Sequence, residues 1–444
     1  MGLVNTRYAR TSDGVYLGYQ TAGDGPIDIV WQPDWPGNID MEWEFRVVRG
    51  YLDAFSSFGR LILHDHRGVG LSSRGVAIPN LETRVADLVT LLDVVEAKRP
   101  SLVGWGSSAS VHALLASTRP ELVSSMVWMD ATPRTRRAPD YPWGRTTEEL
   151  DAELDALQTW GTEDYSRVFA EEQREAGTSV PEEDAKAFAK ASRNACTPDV
   201  AIELAKMWAE TDVRHVLPSI RIPSLFLSQP GSGDREQTRD TAARVLGSEL
   251  VEIEGIPFSP AVIDAVTEAI RRFVGATRPI VDLDTKLTTV LFTDVVGSTE
   301  HLSSLGDRRW KDIVEKHHSV VRESLARWQG TEMDTAGDGF YATFDGPARG
   351  IRCALEIAER VRDLGLELRS GLHTGECRLI DGKVAGLAVS IGARIAGTAG
   401  SSEVRVSQTV KDLVAGSGFV FHDAGEHELK GVPERWRLYR VLQG

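Results

Sequence analysis

Two aspartates stand where carboxylates could do metal chemistry. Asp294 closes the apolar run "TTVLFTDV" and is followed by Gly297, Ser298 and Thr299 at the expected start of a helix. Asp338 lies between two glycines in "TAGDGF", a spacing that reads as a hairpin turn. A carboxylate at a strand end can hold a divalent cation, while free N–H groups at a helix start can face phosphate oxygens. Two such carboxylates can jointly hold two Mg²⁺ or Mn²⁺ around a triphosphate, turning a 3′-hydroxyl into a nucleophile and offsetting leaving-group charge. Each aspartate alone also has an ordinary explanation, as a helix cap or a turn residue.

A second candidate is "LVGWGSSASVHALLAS", residues 102–117, which reads as a buried strand, a tight turn and a helix. Up to about residue 275 the chain alternates β-rich runs ("IDIVWQP", "RLILHD", "SLVGW", "SSMVWMD", "PSLFLSQ", "ELVEIEG") with helical ones. Strands interleaved with helices imply α/β architecture, a mostly parallel, doubly wound sheet. From about 146 to 217 the strand signal stops and acidic, Ala-rich helical sequence takes over, as expected of an inserted helical cap. The stretch "GATRPIVDLDTK" lacks apolar periodicity and is assigned as the linker, residues 276–286. A second domain, 287–444, follows with its own strands ("LTTVLFTDV", "GFYATFD", "LELRSGLHTGE", "EVRVS", "RWRLYRVL").

At 444 residues and a formal net charge of −15, the chain is long enough for two or three domains and too acidic for broad nucleic-acid binding. A local basic site for one nucleotide is compatible with that balance. Cys196, Cys353 and Cys377 are widely spaced and form no CxxC pair, which points to packing roles in a reducing compartment. The N-terminus has no apolar signal core and no run is long enough to span a bilayer, so a cytoplasmic location is expected. Gly2 and Thr6 fit a myristoylation pattern too short to carry weight.

The segment "HDHRGVGLSS", the 102–117 stretch and the strand order resemble the α/β-hydrolase family over residues 1–275. In that family the turn is G-x-S-x-G, with the serine exposed on a sharp elbow. The resemblance puts Gly106, which has no side chain, at the nucleophile position. Ser107 would set bulky Trp105 where a small residue is needed; Ser108, with Gly106 and Ser110 two residues either side, is the one sterically plausible nucleophile. Phe258 occupies the place of the family's histidine base, and Asp234 matches the acid. The implied domain is a hydrolase shape without its chemistry, able to bind a small apolar ligand as a sensor or to serve as a structural support.

"LFTDVVGST", "TAGDGFYATF", "SGLHTGE", "GLAVSIGARIAGTA" and "ELKGVPERWRLYRV" resemble class III adenylate and guanylate cyclases across residues 286–444, a family with a ferredoxin-like α+β core. The two-domain order resembles mycobacterial-type cyclases that carry an N-terminal α/β-hydrolase-like domain. The resemblance implies metal ligation by Asp294, Asp338 and the Val295 carbonyl, and phosphate contacts from Gly297, Ser298, Thr299 and Lys430. It also implies transition-state stabilisation by Arg394, and a homodimer in which the metal face and the Arg/Lys face come from different protomers.

Three positions depart from the family pattern. Ser390 stands where an asparagine is usual, and one hydroxyl donor replaces the two of an amide. Asp334 replaces the lysine that selects adenine, and Lys383 falls where the partner aspartate belongs. The exchanged pair suits guanine on donor and acceptor count; alternatively the two bridge each other and leave the base unread. Three readings follow: a cyclase acting on ATP or GTP, a degenerate cyclase that binds nucleotide or a partner without turnover, and an esterase using Ser108. His317 and His318, on a helical segment, are expected at the surface or an interface, and His373 on a strand near the site.

Overall fold

The computed structural model describes residues 5–33, 37–175, 180–230, 235–276, 285–380 and 383–442. Contacts divide the chain into two compact units, residues 1–283 and 284–444.

The first unit is built on an eight-stranded sheet of β1 (Arg7–Arg10), β2 (Tyr16–Ala22), β3 (Asp28–Gln32), β4 (Arg60–His64), β5 (Ser101–Trp105), β6 (Ser125–Met129), β7 (Ser224–Ser228) and β8 (Glu249–Glu252). Its order is β1-β2-β4-β3-β5-β6-β7-β8; β1, β2 and β4 pair antiparallel and the rest in parallel. Strands β5, β6 and β7 are buried at every residue, because helices cover both faces of a parallel sheet. Between β6 and β7 lie the helices Thr147–Ala156, Glu163–Glu175, Glu182–Ala195 and Pro198–Glu210. The first opens with a capping box, Thr146 and Glu149 each accepting the other's backbone N–H.

The second unit contains β9 (Thr285–Val295), β10 (Thr331–Ala336), β11 (Gly339–Phe344), β12 (Leu368–Ile380), β13 (Lys383–Ala385), β14 (Glu403–Ser407), β15 (Val420–Glu428) and β16 (Arg435–Leu442). The order is β10-β11-β9-β12-β14-β16-β15, with β13 paired to β12. Strand β9, the helix Asp307–Arg327, the β10–β11 hairpin, the helix Pro347–Arg360 and β12 make a βαββαβ unit with spatial order 2-3-1-4, the ferredoxin-like core.

Helix Pro347–Arg360 starts with proline at its first position and buries Ile351, Ala354, Ile357 and Ala358, an i, i+3, i+6, i+7 stripe, on one face of this sheet. On the other face lies Leu387–Thr398. It comes so close that a Cβ on Gly371 would meet the Ala396 nitrogen at 2.1 Å. Only glycine allows that approach. Among the described residues no helix is long and apolar enough to cross a membrane.

Candidate active site

Period-two alternation along β9 sorts its side chains. Leu291 and Val295 point into the core beneath Pro347–Arg360, whereas Val290 and Phe292 lie with Ala388 and Tyr341 on the opposite face. Asp294 continues the second set. It lines a cavity of about 380 Å³ together with Asp334, Phe292, Tyr341, Arg369 and Val389. Phe292 and Tyr341, directly paired across β9 and β11, stack with centroids 4.6 Å apart and planes 1° from parallel. They give the cavity a flat apolar wall.

Arg369 has no place in the sequence-based assignment, yet it is the residue nearest in function to Asp294. The antiparallel register of β12 on β9 sets the two opposite each other. Arg369 Nε donates to Asp294 Oδ2 at 2.9 Å, and a second guanidinium nitrogen contacts the same oxygen. Their side chains are 40% and 37% exposed, and an ion pair so open to water is worth about 0–1 kcal/mol. A divalent cation or a phosphate could therefore displace either partner at small cost.

Asp338 occupies the tip of the β10–β11 hairpin. Gly337 is left-handed at φ +63° and Asp338 is not, the pattern of a type II′ turn with glycine first. One residue beyond the last β9–β11 pair, Gly339 faces Asp294; a Cβ there would lie 3.7 Å from Asp294 Oδ1. The turn thus carries Asp338 to the end of β9 that bears Asp294. Asp338 Oδ2 is buried and has no hydrogen-bond partner. A buried carboxylate oxygen without a donor is costly, and a bound cation is one ligand that would offset the cost.

The turn is held from behind. His318 Nε2 lies 2.9 Å from the Gly337 carbonyl oxygen and His317 Nε2 lies 3.1 Å from that of Asp338. His317 is fully buried, which corrects the expectation of a surface or interface residue there, whereas His318 is half-buried. Burial pushes His317 below the usual histidine range, so its ring is neutral at pH 7 with the proton on Nε2, facing the carbonyl. His373 lies on β12 with Nδ1 2.8 Å from Ser407 Oγ, inside the fold and away from the cavity lining.

Strand β9 ends at buried Val295; Gly297, left-handed at φ +68°, precedes the helix Ser298–Leu305, whose first N–H groups have no side-chain cap. Asp334 lines the cavity and its Oδ1 accepts the Thr335 N–H at 3.0 Å. Lys383 pairs with Ile380 in the β12–β13 hairpin, and its side chain lies outside the described residues. Arg394 and Ser390, one helical turn apart on Leu387–Thr398, are both exposed. Arg394 Nε donates to the Lys430 carbonyl at 3.1 Å, so Arg394 and Lys430 stand together; neither they nor Ser390 line the cavity of their own chain.

In the first unit, Gly106 follows β5 with φ +56°, the strained geometry of an elbow residue, and carries no side chain there. Ser108 is not the exposed serine that steric reasoning allowed. It sits two residues into the turn, 4% exposed, with its hydroxyl 2.6 Å from the Pro33 carbonyl and 2.8 Å from that of Trp105. Phe258 packs its ring 6.2 Å from Trp105, in place of a base. Asp234 lies outside the described residues. A separate cavity of about 420 Å³, lined in part by Ser107, Trp143, Trp160, Tyr165, Leu204 and Trp208, lies among β-sheet loops and cap helices of this unit.

Comparison with known proteins agrees with this geometry. Residues 283–443 match the family described as the adenylate and guanylate cyclase catalytic domain. An uncharacterized protein of Mycobacterium tuberculosis is 31% identical over 150 residues, 33% of this chain and 52% of that protein. A probable esterase of Oryza sativa subsp. japonica is 26% identical over 194 residues, 43% of this chain and 67% of its own length. An esterase structure from Exiguobacterium antarcticum, 20% identical, covers 61% of this chain and 100% of its own with TM-score 0.54, a likeness of fold. The chain therefore joins an α/β-hydrolase-like region to a cyclase catalytic domain of the class III type.

Proposed function

We propose that the protein is a purine nucleotide cyclase, converting ATP or GTP to the 3′,5′-cyclic monophosphate and pyrophosphate. The observation that carries this reading is the unpartnered, buried Asp338 Oδ2 at the same strand end as Asp294, beside a cavity with a flat aromatic wall. All-oxygen donors suit Mg²⁺ or Mn²⁺, and Asp294, Asp338 and the Val295 carbonyl would hold them. Bound there, two such ions favour ionisation of the 3′-hydroxyl and neutralise charge on the phosphates.

The chain's own residues supply the rest. Phe292, Tyr341 and Val389 hold the purine, with Asp334 able to accept from a base N–H. Arg369, released from Asp294, turns to the phosphates, as do the N–H groups of Gly297, Ser298 and Thr299. The 3′-oxygen bonds to the α-phosphorus, the bond to the bridging oxygen breaks, the hydroxyl proton passes to solvent and pyrophosphate leaves. Arg394 and Lys430, absent from their own chain's cavity lining, act on the site of a second copy, so the active form is a homodimer. Ser390 gives a weaker contact than an amide would, and a comparable lost donor slows other enzymes about 10²- to 10³-fold. Replacing Asp294 with Ala should remove product formation, read by mass spectrometry; unchanged turnover would contradict the assigned site.

The first unit is read as a regulatory domain without hydrolase activity, whose cavity, lined by Trp143, Trp160 and Trp208 and also by Arg134, Arg145 and Glu153, takes a small apolar ligand against its tryptophan side. Binding of 2-naphthol, followed by quenching of tryptophan fluorescence, tests the cavity; a smaller quench in Trp208→Ala, with Trp143 and Trp160 remaining, is the expected result. Nucleotide binding without turnover is the second reading, favoured by Ser390 and by the Asp294–Arg369 pair.

A further inference from the structure

Metal-binding carboxylates on hairpin tips face a physical difficulty. Strand β10 is the edge of the sheet, hydrogen-bonded only to β11, and the pairing is interrupted by a bulge between Glu332 and Asp334. A turn at the end of such a hairpin is steadied by a neighbouring strand on one side alone, where β11 pairs with β9. Asp338 nonetheless has to present its carboxylate at a defined point next to Asp294, since small displacements of a ligand weaken a metal site.

We propose that His317 and His318 are positioning residues for Asp338, holding the metal-binding turn through its backbone carbonyls; this rests on the cyclase reading of the site. The two imidazoles project from the helix Asp307–Arg327 and donate Nε2–H to successive carbonyls, His318 to Gly337 at 2.9 Å and His317 to Asp338 at 3.1 Å. A carbonyl only accepts, so both rings carry the proton on Nε2. Both also stand edge-on against Phe340, with centroids 5.0 and 5.7 Å away and planes at 89° and 83°. Phe340 follows Asp338 by two residues, so the rings contact the turn and the start of the returning strand together.

One helical turn beyond His318, Arg322 grips the stem of the same hairpin. Its Nε and a terminal nitrogen donate to the two Glu332 oxygens at 2.8 and 2.9 Å. The helix thus holds the hairpin at tip and stem. Among the described residues His317 Nδ1 is buried without a partner, so the Asp338 carbonyl is the one hydrogen-bond partner the ring has there. Imidazole suits the task because it is rigid, donates while neutral and adds no fixed positive charge beside a site that must accept cations. A lysine of similar reach would repel the ion it helps to place.

The test is Mn²⁺ binding to the full-length protein, followed by the electron paramagnetic resonance signal of free Mn²⁺, which needs no turnover. Asp338→Asn serves as the reference for loss of the site. His318→Leu should weaken Mn²⁺ binding about tenfold, the low end of what loss of a ligand-orienting partner does at other metal sites, while keeping the wild-type melting profile. His318→Gln, whose amide N–H reaches a similar point, should recover most of that loss, and His317→Leu, which also removes a donor to the turn, serves as the second variant should the first leucine protein fold poorly. Wild-type Mn²⁺ affinity in both His318→Leu and His317→Leu would overturn the proposal, as would an Asp338→Asn protein that binds Mn²⁺ normally. Absence of cyclic product from the wild type would count against the cyclase reading alone, because the Mn²⁺ measurement stands without it.

Discussion

At the scale of single residues, the site is a set of carboxylates whose partners differ. Asp294 is paired with Arg369, Asp338 has one oxygen without a donor, and Asp334 faces the cavity holding only a local backbone N–H. On the proposed cyclase reading the first two are the metal ligands, and the third reads the base through the acceptor capacity that the Thr335 N–H leaves over. Asp334→Lys should raise the preference for ATP over GTP about tenfold, an effect of ~1.4 kcal/mol, measured as the ratio of kcat/KM for the two substrates. An unchanged ratio would mean that the side chain does not touch the base.

A different residue bears on stability. His112, fully buried beyond the elbow with both ring nitrogens unpartnered, is pushed down to about 3 by burial and by the nearby His64. The unfolded chain therefore binds a proton at this residue below pH 6.5 that the folded chain refuses, so stability is fully present above that pH and is lost as the pH falls towards 3. Relative to wild type, His112→Leu should gain about 2 kcal/mol of unfolding free energy between pH 7 and pH 5, measured by denaturant titration at each pH.

At the scale of elements, apolar runs and alternation mark most strands, though not the largely buried β2. The six parallel strands β3 to β8 and the central strands β9, β11, β12, β14 and β16 all announce themselves by apolar runs or alternation. The missed strands are β1, β2, β10, β13 and β15. Strand β13 has only three residues, and β10 ("TEMDTA") and β15 ("VFHDAGEHE") are edge strands of mostly polar, exposed residues, held by backbone pairing that leaves no periodic trace. Arg369 escaped for a related reason: its link to Asp294 is a matter of strand register, which emerges only once β12 lies against β9.

Gly106 was legible because an elbow needs small residues at fixed spacing, and the fit of Ser108 was misjudged because spacing does not show that its hydroxyl is turned to the Pro33 and Trp105 carbonyls. Gly106→Ser would put a hydroxyl at the elbow but leave Phe258 where a base is needed. Hydrolysis of p-nitrophenyl acetate by that variant should stay at the wild-type background, and a burst of nitrophenol would show that another group acts as base.

At the scale of the whole molecule, Arg394 and Lys430 stand outside the cavity lining of their own chain, and the proposed function has them complete the site of a second copy. Two inactive variants should then rescue each other. A mixture of equal amounts of Asp294→Ala and Arg394→Ala proteins, unfolded and refolded together, forms some dimers with one intact site and should regain about a quarter of wild-type activity if the subunits assort at random across a two-fold interface. Activity no higher than in either variant alone would place all the catalytic groups within one chain. The most direct test of the central claim is mass-spectrometric detection of cyclic AMP and cyclic GMP from the purified full-length protein given ATP or GTP with Mn²⁺. A cyclic nucleotide that disappears in Asp294→Ala is expected; binding of nucleotide and Mn²⁺ with no cyclic product from either triphosphate would contradict the cyclase reading.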